Sequence, residues 1–354
     1  MVAQVPTLIL QDLLPEEATG VARYCGALLA QYRMRGLPFR VKTLAARPFR
    51  IGGLSFGYFM RIAWHRLTVR PRGLVHSLFW YVIPPATKIV TVYDIFSLPD
   101  RHPHPLSRWL YGNVRRDLVE KPEAWVAISQ SVRQQLSERL GVPKNRTFVA
   151  RPGIDIDTFK PGVGPRPAAM PRDGKTNVLH VGHGYGRKGI HLLVEALGRL
   201  GAPRFRLVRV GPRRDPEYIA RYTSRAAKLG LEVVECGFVP DGLLPAYYGN
   251  ADVFAFPSLD EGAGIPPLEA MACGTNVVVS DLPAHREVCG NQAFYAGGEV
   301  DTLAGAIREA IEHPRPPTSL RAHAQRFSWA ETANTYLELY SRIGGAETSP
   351  ALRG

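Results

Sequence analysis

Cysteine is scarce: Cys25, Cys236, Cys273 and Cys289 lie far apart in 354 residues, and no two form a CxxC pair. That spacing excludes a disulfide framework and a thiolate zinc site, and it fits reduced thiols in a cytoplasmic protein. Long apolar runs are also missing. The most apolar window, Ser77 to Ala86, is short and ends in Pro84-Pro85, whereas a membrane-spanning helix needs about 18 apolar residues. No secretory leader is expected, because no basic residue precedes Leu8-Ile9-Leu10 and the acids Asp12, Glu16 and Glu17 follow it. Nothing points to disorder, since 45% hydrophobic and 21% charged residues are ordinary globular usage. The length suggests two domains.

Acidic residues are thin in the first half. Residues 1–160 hold 23 Lys and Arg against 11 Asp and Glu, a net +12, whereas residues 161–354 hold 21 against 20. A one-sided excess of this size attracts a polyanion or an anionic lipid surface. Within it, residues 56–67 (FGYFMRIAWHRL) mix large apolar and basic side chains, and Arg70 and Arg72 follow. As a helix this stretch would suit a membrane interface, so a peripheral position on the cytoplasmic membrane face is an expectation. An ordinary core-facing helix with outward arginines has the same pattern. No recognition motif accompanies the charge, so nucleic acid is not expected as a partner. Asp155-x-Asp157 and His102-x-His104 each lack a third ligand nearby, and no metal is expected.

Strand-like and helical runs alternate throughout, which predicts α/β architecture with parallel sheets covered on both faces. In the first half the strand-like runs are 7–10, 39–44, 74–78, 88–92, 125–128 and 147–150, with helices over 21–31 and 131–140. Ser131 with Gln134 three residues on reads as a capping box. Residues 151–177 carry Pro152, Pro161, Pro165, Pro167 and Pro171, a composition that suits a linker. The pattern then restarts with strands at 178–181, 206–210, 233–237, 253–256 and 277–280. Helices follow at 189–200, 216–229, 242–248, 266–273 and 301–312, and a last helix starts at Ser328. The expected domains are residues 1–160, 161–327, a terminal helix at 328–345 and a flexible tail at 346–354.

The strand ending at Val181 runs into Gly182-His183-Gly184-Tyr185-Gly186-Arg187-Lys188-Gly189. Glycines let a backbone approach a phosphate, and the helix that follows offers unpaired N–H groups. Lys188 adds a formal charge, so a phosphate site is inferred. The same residues satisfy a dinucleotide fingerprint, but the next strand ends in Arg209-Val210-Gly211-Pro212-Arg213-Arg214 without a carboxylate for a ribose. NAD is disfavoured, and an NADP site using Arg213 or Arg214 stays open.

A second constellation follows Phe256. Glu261 lies in a glycine-containing loop, and Glu269 lies just inside the helix that Pro266 and Pro267 open. Both carboxylates are expected near the ligand edge of the sheet, beside the amides of residues 263–265. Carboxylates accept, which suits the hydroxyls of a sugar.

This Glu-x7-Glu sits inside "PSLDEGAGIPPLEAMACGT", preceded by "HVGHGYGRKGIHLLVEAL" and followed by "VVVSDLPAHREVCG". Together they resemble the retaining glycosyltransferases of family 4, closely over residues 178–343. In the first half "TGVARYCGALL", "VTVYDIFSLPD", "WVAISQSVRQQL" and "VARPGIDIDTFKP" resemble the family's segments in order. The resemblance implies the GT-B fold: two Rossmann-like doubly wound domains facing an interdomain cleft, with a C-terminal helix crossing back to the first domain. It implies a retaining, metal-independent hexosyltransferase, mannose or glucose favoured, moving sugar from a nucleotide-sugar to a glycan or lipid-linked acceptor. The nucleotide-sugar is a substrate, and no cofactor is implied. By the resemblance, Lys188 holds the donor diphosphate with Gly182 and the glycine loop, and Gly20 lets the first loop approach the phosphates. Glu269 holds the ribose. Glu261 with Ala263, Gly264 and Ile265 holds the sugar, and the base lies near Val239. Three positions depart from the family. His183 stands where an arginine is usual, with Arg187 a substitute; Tyr93 stands for a histidine before Asp94; Ala263 stands for a phenylalanine. The alternatives carried forward are an NADP-dependent oxidoreductase and a non-catalytic nucleotide-sugar-binding homologue.

Overall fold

Runs of aliphatic and β-branched residues bounded by glycine and proline form two sheets, each parallel throughout. The structure, a computed structural model, describes residues 6–11, 20–44, 73–78, 86–95 and 119–344. The basic segment 56–72, His102, His104 and the tail 346–354 lie outside the described residues. Two units divide the chain: Met1–Gly153 with Trp329–Gly354, and Ile154–Ser328.

In the first unit the sheet order is β2-β1-β3-β4-β5-β6. Its strands are β1 (Thr7–Gln11), β2 (Arg40–Leu44), β3 (Val75–Ser77), β4 (Thr87–Val92), β5 (Ala124–Ala127) and β6 (Thr147–Val149). Helix α1 (Gly20–Met34) buries Tyr24, Cys25, Leu28, Leu29 and Tyr32, residues at three- and four-residue spacing on one face. Helix α2 (Gln130–Leu140) starts one residue before Ser131, the cap that the sequence suggests. Its cap is Ser129, extended at φ −157° and ψ 163°, which accepts from the Val132 amide at 3.1 Å. Ser131 lies inside the helix, and Gln134 donates to Glu138 instead, at 2.7 Å. The cap falls there because β5 ends at Ala127 and leaves one residue before the turn.

The second unit orders its strands β9-β8-β7-β10-β11-β12, the doubly wound arrangement in which connections reverse direction at the β7/β10 boundary. These strands are β7 (Thr176–Val181), β8 (Phe205–Val210), β9 (Glu232–Gly237), β10 (Val253–Phe256), β11 (Val277–Ser280) and β12 (Phe294–Ala296). Successive residues face opposite layers. Leu179, Val181, Phe254 and Val279 enter one core cluster, and Val178, Val253, Ala255 and Val278 enter the other. This two-sided burial explains the near-continuous apolar strands.

Helices cover both layers: α3 (Ile190–Arg199), α4 (Pro216–Leu229), α5 (Leu244–Asn250), α6 (Ile265–Ala272), α7 (Pro283–Cys289), α8 (Val300–Glu312) and α9 (Pro317–Ala324). The final helix, α10 (Trp329–Gly344), belongs to the first unit. The proline-rich stretch after Gly153 is fastened onto the second unit. Ile154, Phe159 and Met170 are buried in its core, and Arg321 donates to the carbonyls of Ile156 and Phe159, both at 2.9 Å.

Candidate active site

The loops leaving β7 and β10 emerge side by side at the carboxyl edge, where the strand order reverses, the position at which such sheets bind ligands. After β7 the chain makes one tight turn, Gly186–Lys188, and enters α3 through Gly189 in the left-handed conformation. After β10 it runs through Ser258, Asp260 and Glu261 to Gly264, also left-handed, and then into α6. The two loops are joined backbone to backbone, Leu259 donating to the Arg187 carbonyl at 2.8 Å.

Lys188 and Glu261, 73 residues apart, form a direct ion pair across this junction. Ser258 also donates to Glu261 Oε1, at 3.0 Å, and Lys188 Nζ lies 4.8 Å from the centre of the Phe256 ring. Burial alone would raise the Glu261 carboxyl. Lys188, with Arg187 and His285 adding to it, outweighs burial and holds it below its ordinary value.

Beneath the glycine loop, Arg209 on β8 is fully buried and pairs with Glu235 on β9, while its Nη1 donates to the Gly182 carbonyl at 3.2 Å. Tyr222 of α4 donates to the same Glu235. This fixes the loop's floor. Glu235 reaches the carboxyl edge from the neighbouring strand, so a search along β8 alone could not find it. Arg213, the candidate phosphate group of the nicotinamide reading, also lies 3.7 Å from Glu235.

Two histidines line the loop. His183 stacks on Tyr185 with ring centres 5.7 Å apart. Burial, then the charges of Lys188, Arg214, Arg187 and Arg209, lower its pKa to about 4. It is therefore neutral near pH 7 and offers a phosphate no formal charge. His180 is fully buried, and burial followed by Arg209 and Lys188 lowers it to about 3.

The other expected residues fall as follows. The Gly182 amide donates to Val210 at 2.8 Å, and Arg187 Nη1 to the Asp260 carbonyl at 3.4 Å. The start of α3 is not open to an anion, because the His191 amide donates to Tyr218 Oη at 3.0 Å. The amides of Ala263, Gly264 and Ile265 have no hydrogen-bond partner among the described residues. Pro266 and Pro267 bring no amides of their own, so the donors at this edge concentrate at residues 263–265.

Glu269 sits one turn into α6 and is 2% exposed, its Oε2 accepting from Tyr248 at 2.6 Å. Val239 is buried in the core, and Phe238 is the exposed side chain of that turn. In the first unit Gly20 is exposed at the start of α1. Tyr93 is buried there, with its hydroxyl 3.2 Å from Cys25 Sγ, and its ring meets Tyr24 edge-on at 5.3 Å. At the position where the resemblance puts a histidine, Tyr93 thus packs against Tyr24 and Cys25. The sequence reading missed Arg209, Glu235 and His285, which act across strands and leave no local pattern.

Residues 166–327 match the family described as glycosyl transferases group 1. A serotype-specific mannosyltransferase, WbdA of Escherichia coli, is 33% identical over 168 residues, 44% of this chain and 20% of that one. The D-inositol 3-phosphate glycosyltransferase of Mycolicibacterium smegmatis is 31% identical over 245 residues, 64% of this chain and 54% of that one. The chain thus spans about a fifth and about half of these two relatives. Among solved structures, Anabaena Alr3699/HepE in complex with UDP and glucose superposes with a TM-score of 0.72 at 20% identity. That match covers 96% of this chain and all of the other. The likeness shows the fold, two parallel α/β units of the GT-B class, and the nicotinamide reading is not favoured. These matches make residues 166–327, just under half of the chain, similar to the glycosyl transferases group 1 family.

Proposed function

We propose that the protein is a retaining hexosyltransferase that moves mannose or glucose from a nucleotide-sugar to a glycan or lipid-linked acceptor. The observation that carries this is the Lys188–Glu261 pair at the point where the second sheet's strand order reverses. A cation and an acceptor-only carboxylate side by side match the two halves of a sugar diphosphate, a polyanion joined to a ring of hydroxyl donors. The names of the relatives and of the superposed complex favour mannose or glucose. Lys188 faces the diphosphate, where negative charge grows as the glycosidic bond breaks, and the amides of residues 263–265 stand with Glu261 at the sugar. Glu261 accepts from the sugar's hydroxyls, and Glu269 is assigned the ribose. The acceptor hydroxyl attacks from the face the diphosphate leaves, and a diphosphate oxygen takes its proton, so configuration is retained without a covalent enzyme intermediate. This account calls on no metal ion. The +12 charge of residues 1–160 supports an anionic acceptor or an anionic surface bearing it.

The test is release of nucleoside diphosphate across UDP-, GDP- and ADP-sugars with glycan acceptors. One donor class should turn over, and Lys188→Ala and Glu261→Ala should each lower kcat/KM by about 100-fold or more, roughly 3 kcal/mol of transition-state stabilisation. Far-ultraviolet dichroism should show both variants folded. Full activity in either variant would refute the assignment.

A further inference from the structure

Behind the Glu261 loop lies a histidine that the function above does not use. His285, in α7, is fully buried, and its Nδ1 lies 2.8 Å from the Ser280 carbonyl. A carbonyl only accepts, so Nδ1 carries the proton and Nε2 is a bare acceptor. Nε2 is buried and has no hydrogen-bond partner, an unusual state for a nitrogen in a core. The ring edge faces the side of Gly264 that lacks a side chain: a Cβ there would lie 3.2 Å from His285 Cδ2 and 3.7 Å from Nε2. Phe256 packs against His285, with centres 5.8 Å apart, and against Lys188.

In this arrangement Lys188 neutralises Glu261. If the donor diphosphate draws Lys188 toward itself, a buried carboxylate is left without its cation, which is costly. The charged and titratable groups facing the loop are Lys188, Arg187, His180 and His183 from the glycine loop side. Asp260 and Glu261 come from the loop itself, and His285 from α7. The next residues of α7 and its approach face elsewhere, Arg286 pairing with Asp281 at 2.6 Å. Burial, the largest effect, holds the His285 pKa below the ordinary imidazole value; Glu261 and the Ser280 carbonyl raise it, and Lys188 lowers it. Withdrawing Lys188 and adding a diphosphate therefore both favour protonation of the ring.

We propose that His285 is a positioning residue of the donor site. It takes a proton from solvent onto Nε2 as the diphosphate engages Lys188, and so supplies the positive charge that keeps Glu261 ionised beside Gly264 to accept from the sugar. The proton returns to solvent when the diphosphate leaves. This rests on the donor-site reading above.

The test is calorimetry of the whole chain with the intact sugar nucleotide that turns over, in two buffers of different ionisation enthalpy near pH 7. Wild type should take up part of a proton, and donor affinity should weaken as pH rises from about 6 to about 8, by at most about tenfold per unit for one proton. His285→Asn keeps a donor for Ser280 but does not titrate. It should abolish the uptake and flatten the pH dependence of donor KM, with kcat at saturating donor changed much less. His183→Gln should retain the uptake. Zero uptake in wild type overturns the proposal whatever the variants do, as does uptake that persists in His285→Asn or vanishes only in His183→Gln. In each of those cases donor turnover still stands. If no sugar nucleotide binds, the donor-site reading fails and takes this inference with it.

Discussion

A methyl group at position 189 would land 1.9 Å from the Pro257 carbonyl oxygen, and the backbone there is left-handed at φ +68°. Neither problem can be relieved by a rotamer change, because the obstacle is backbone on β10's exit loop. Gly189→Ala should therefore cost more than about 3 kcal/mol, or force the two loops apart and separate Lys188 from Glu261. At Gly186, three residues earlier, a Cβ meets only Tyr218 Cε2, at 3.9 Å, and the backbone is right-handed. Gly186→Ala should cost less than about 1 kcal/mol. Urea denaturation of the two variants checks the contrast, and equal effects would mean the packing of Gly189 on Pro257 is misdescribed. Single residues were legible in the sequence where their chemistry is local. Lys188 next to a glycine turn and Glu261 ahead of a proline-opened helix announce themselves by spacing. His285 and Arg209 do not, since each acts on a loop reached across a neighbouring strand.

At the scale of elements, the first unit contains a buried chain of hydrogen bonds that ties α1 and α10 to the ends of β3 and β4. Tyr32 donates to Tyr340 at 3.2 Å; Tyr340 Oη lies 2.6 Å from His76 Nδ1; His76 Nε2 lies 2.8 Å from Thr91 Oγ1. Thr91 lies 2.9 Å from Tyr336 Oη, Tyr336 lies 3.1 Å from Tyr24 Oη, and Tyr24 donates to the Ala150 carbonyl at 2.8 Å. Because both ends are fixed as donor and acceptor, every hydroxyl between them donates once in the same direction, and His76 must be the neutral Nε2–H tautomer. Tyr336→Phe interrupts the middle, leaving Thr91 without its acceptor and Tyr24 without its donor. It should cost about 1–3 kcal/mol. Tyr32→Phe removes only the first donor and should cost less, about 1 kcal/mol. Denaturant midpoints of the two variants give the comparison, and the reverse order would show that the chain is not continuous. Long elements with a clear period, such as β7, α3 and α4, could be read from the sequence to within a residue or two. The short α7, β12 and α9 could not. Seven residues opening on Pro283, three residues at a sheet edge, and eight residues behind Pro314 and Pro316 have too little period to separate from loop.

Across the whole molecule, each unit holds a fully buried neutral histidine: His76 in the first and His180 in the second, both lowered to about 3 chiefly by burial. An unfolded chain binds a proton at each below about pH 6.5, whereas the folded chain refuses it until about pH 3. Between those limits the unfolded state carries more protons, so stability falls as pH falls, and it is fully present only above about pH 6.5. At pH 5 the loss is about 2 kcal/mol for each of these two histidines, and in the second unit His183, lowered to about 4, and the buried His285 add to it. None of the five tryptophans of the sequence falls within residues 154–328, the second unit. Tryptophan fluorescence therefore follows the first unit alone, while far-ultraviolet dichroism follows both. Denaturation at pH 7.5 and at pH 5 should move the fluorescence and the dichroism midpoints down together. His180→Asn should reduce the shift seen by dichroism and leave that seen by fluorescence in place. Midpoints that do not move between the two pH values would mean that these histidines are protonated in the folded state, which the one-directional chain through His76 does not allow.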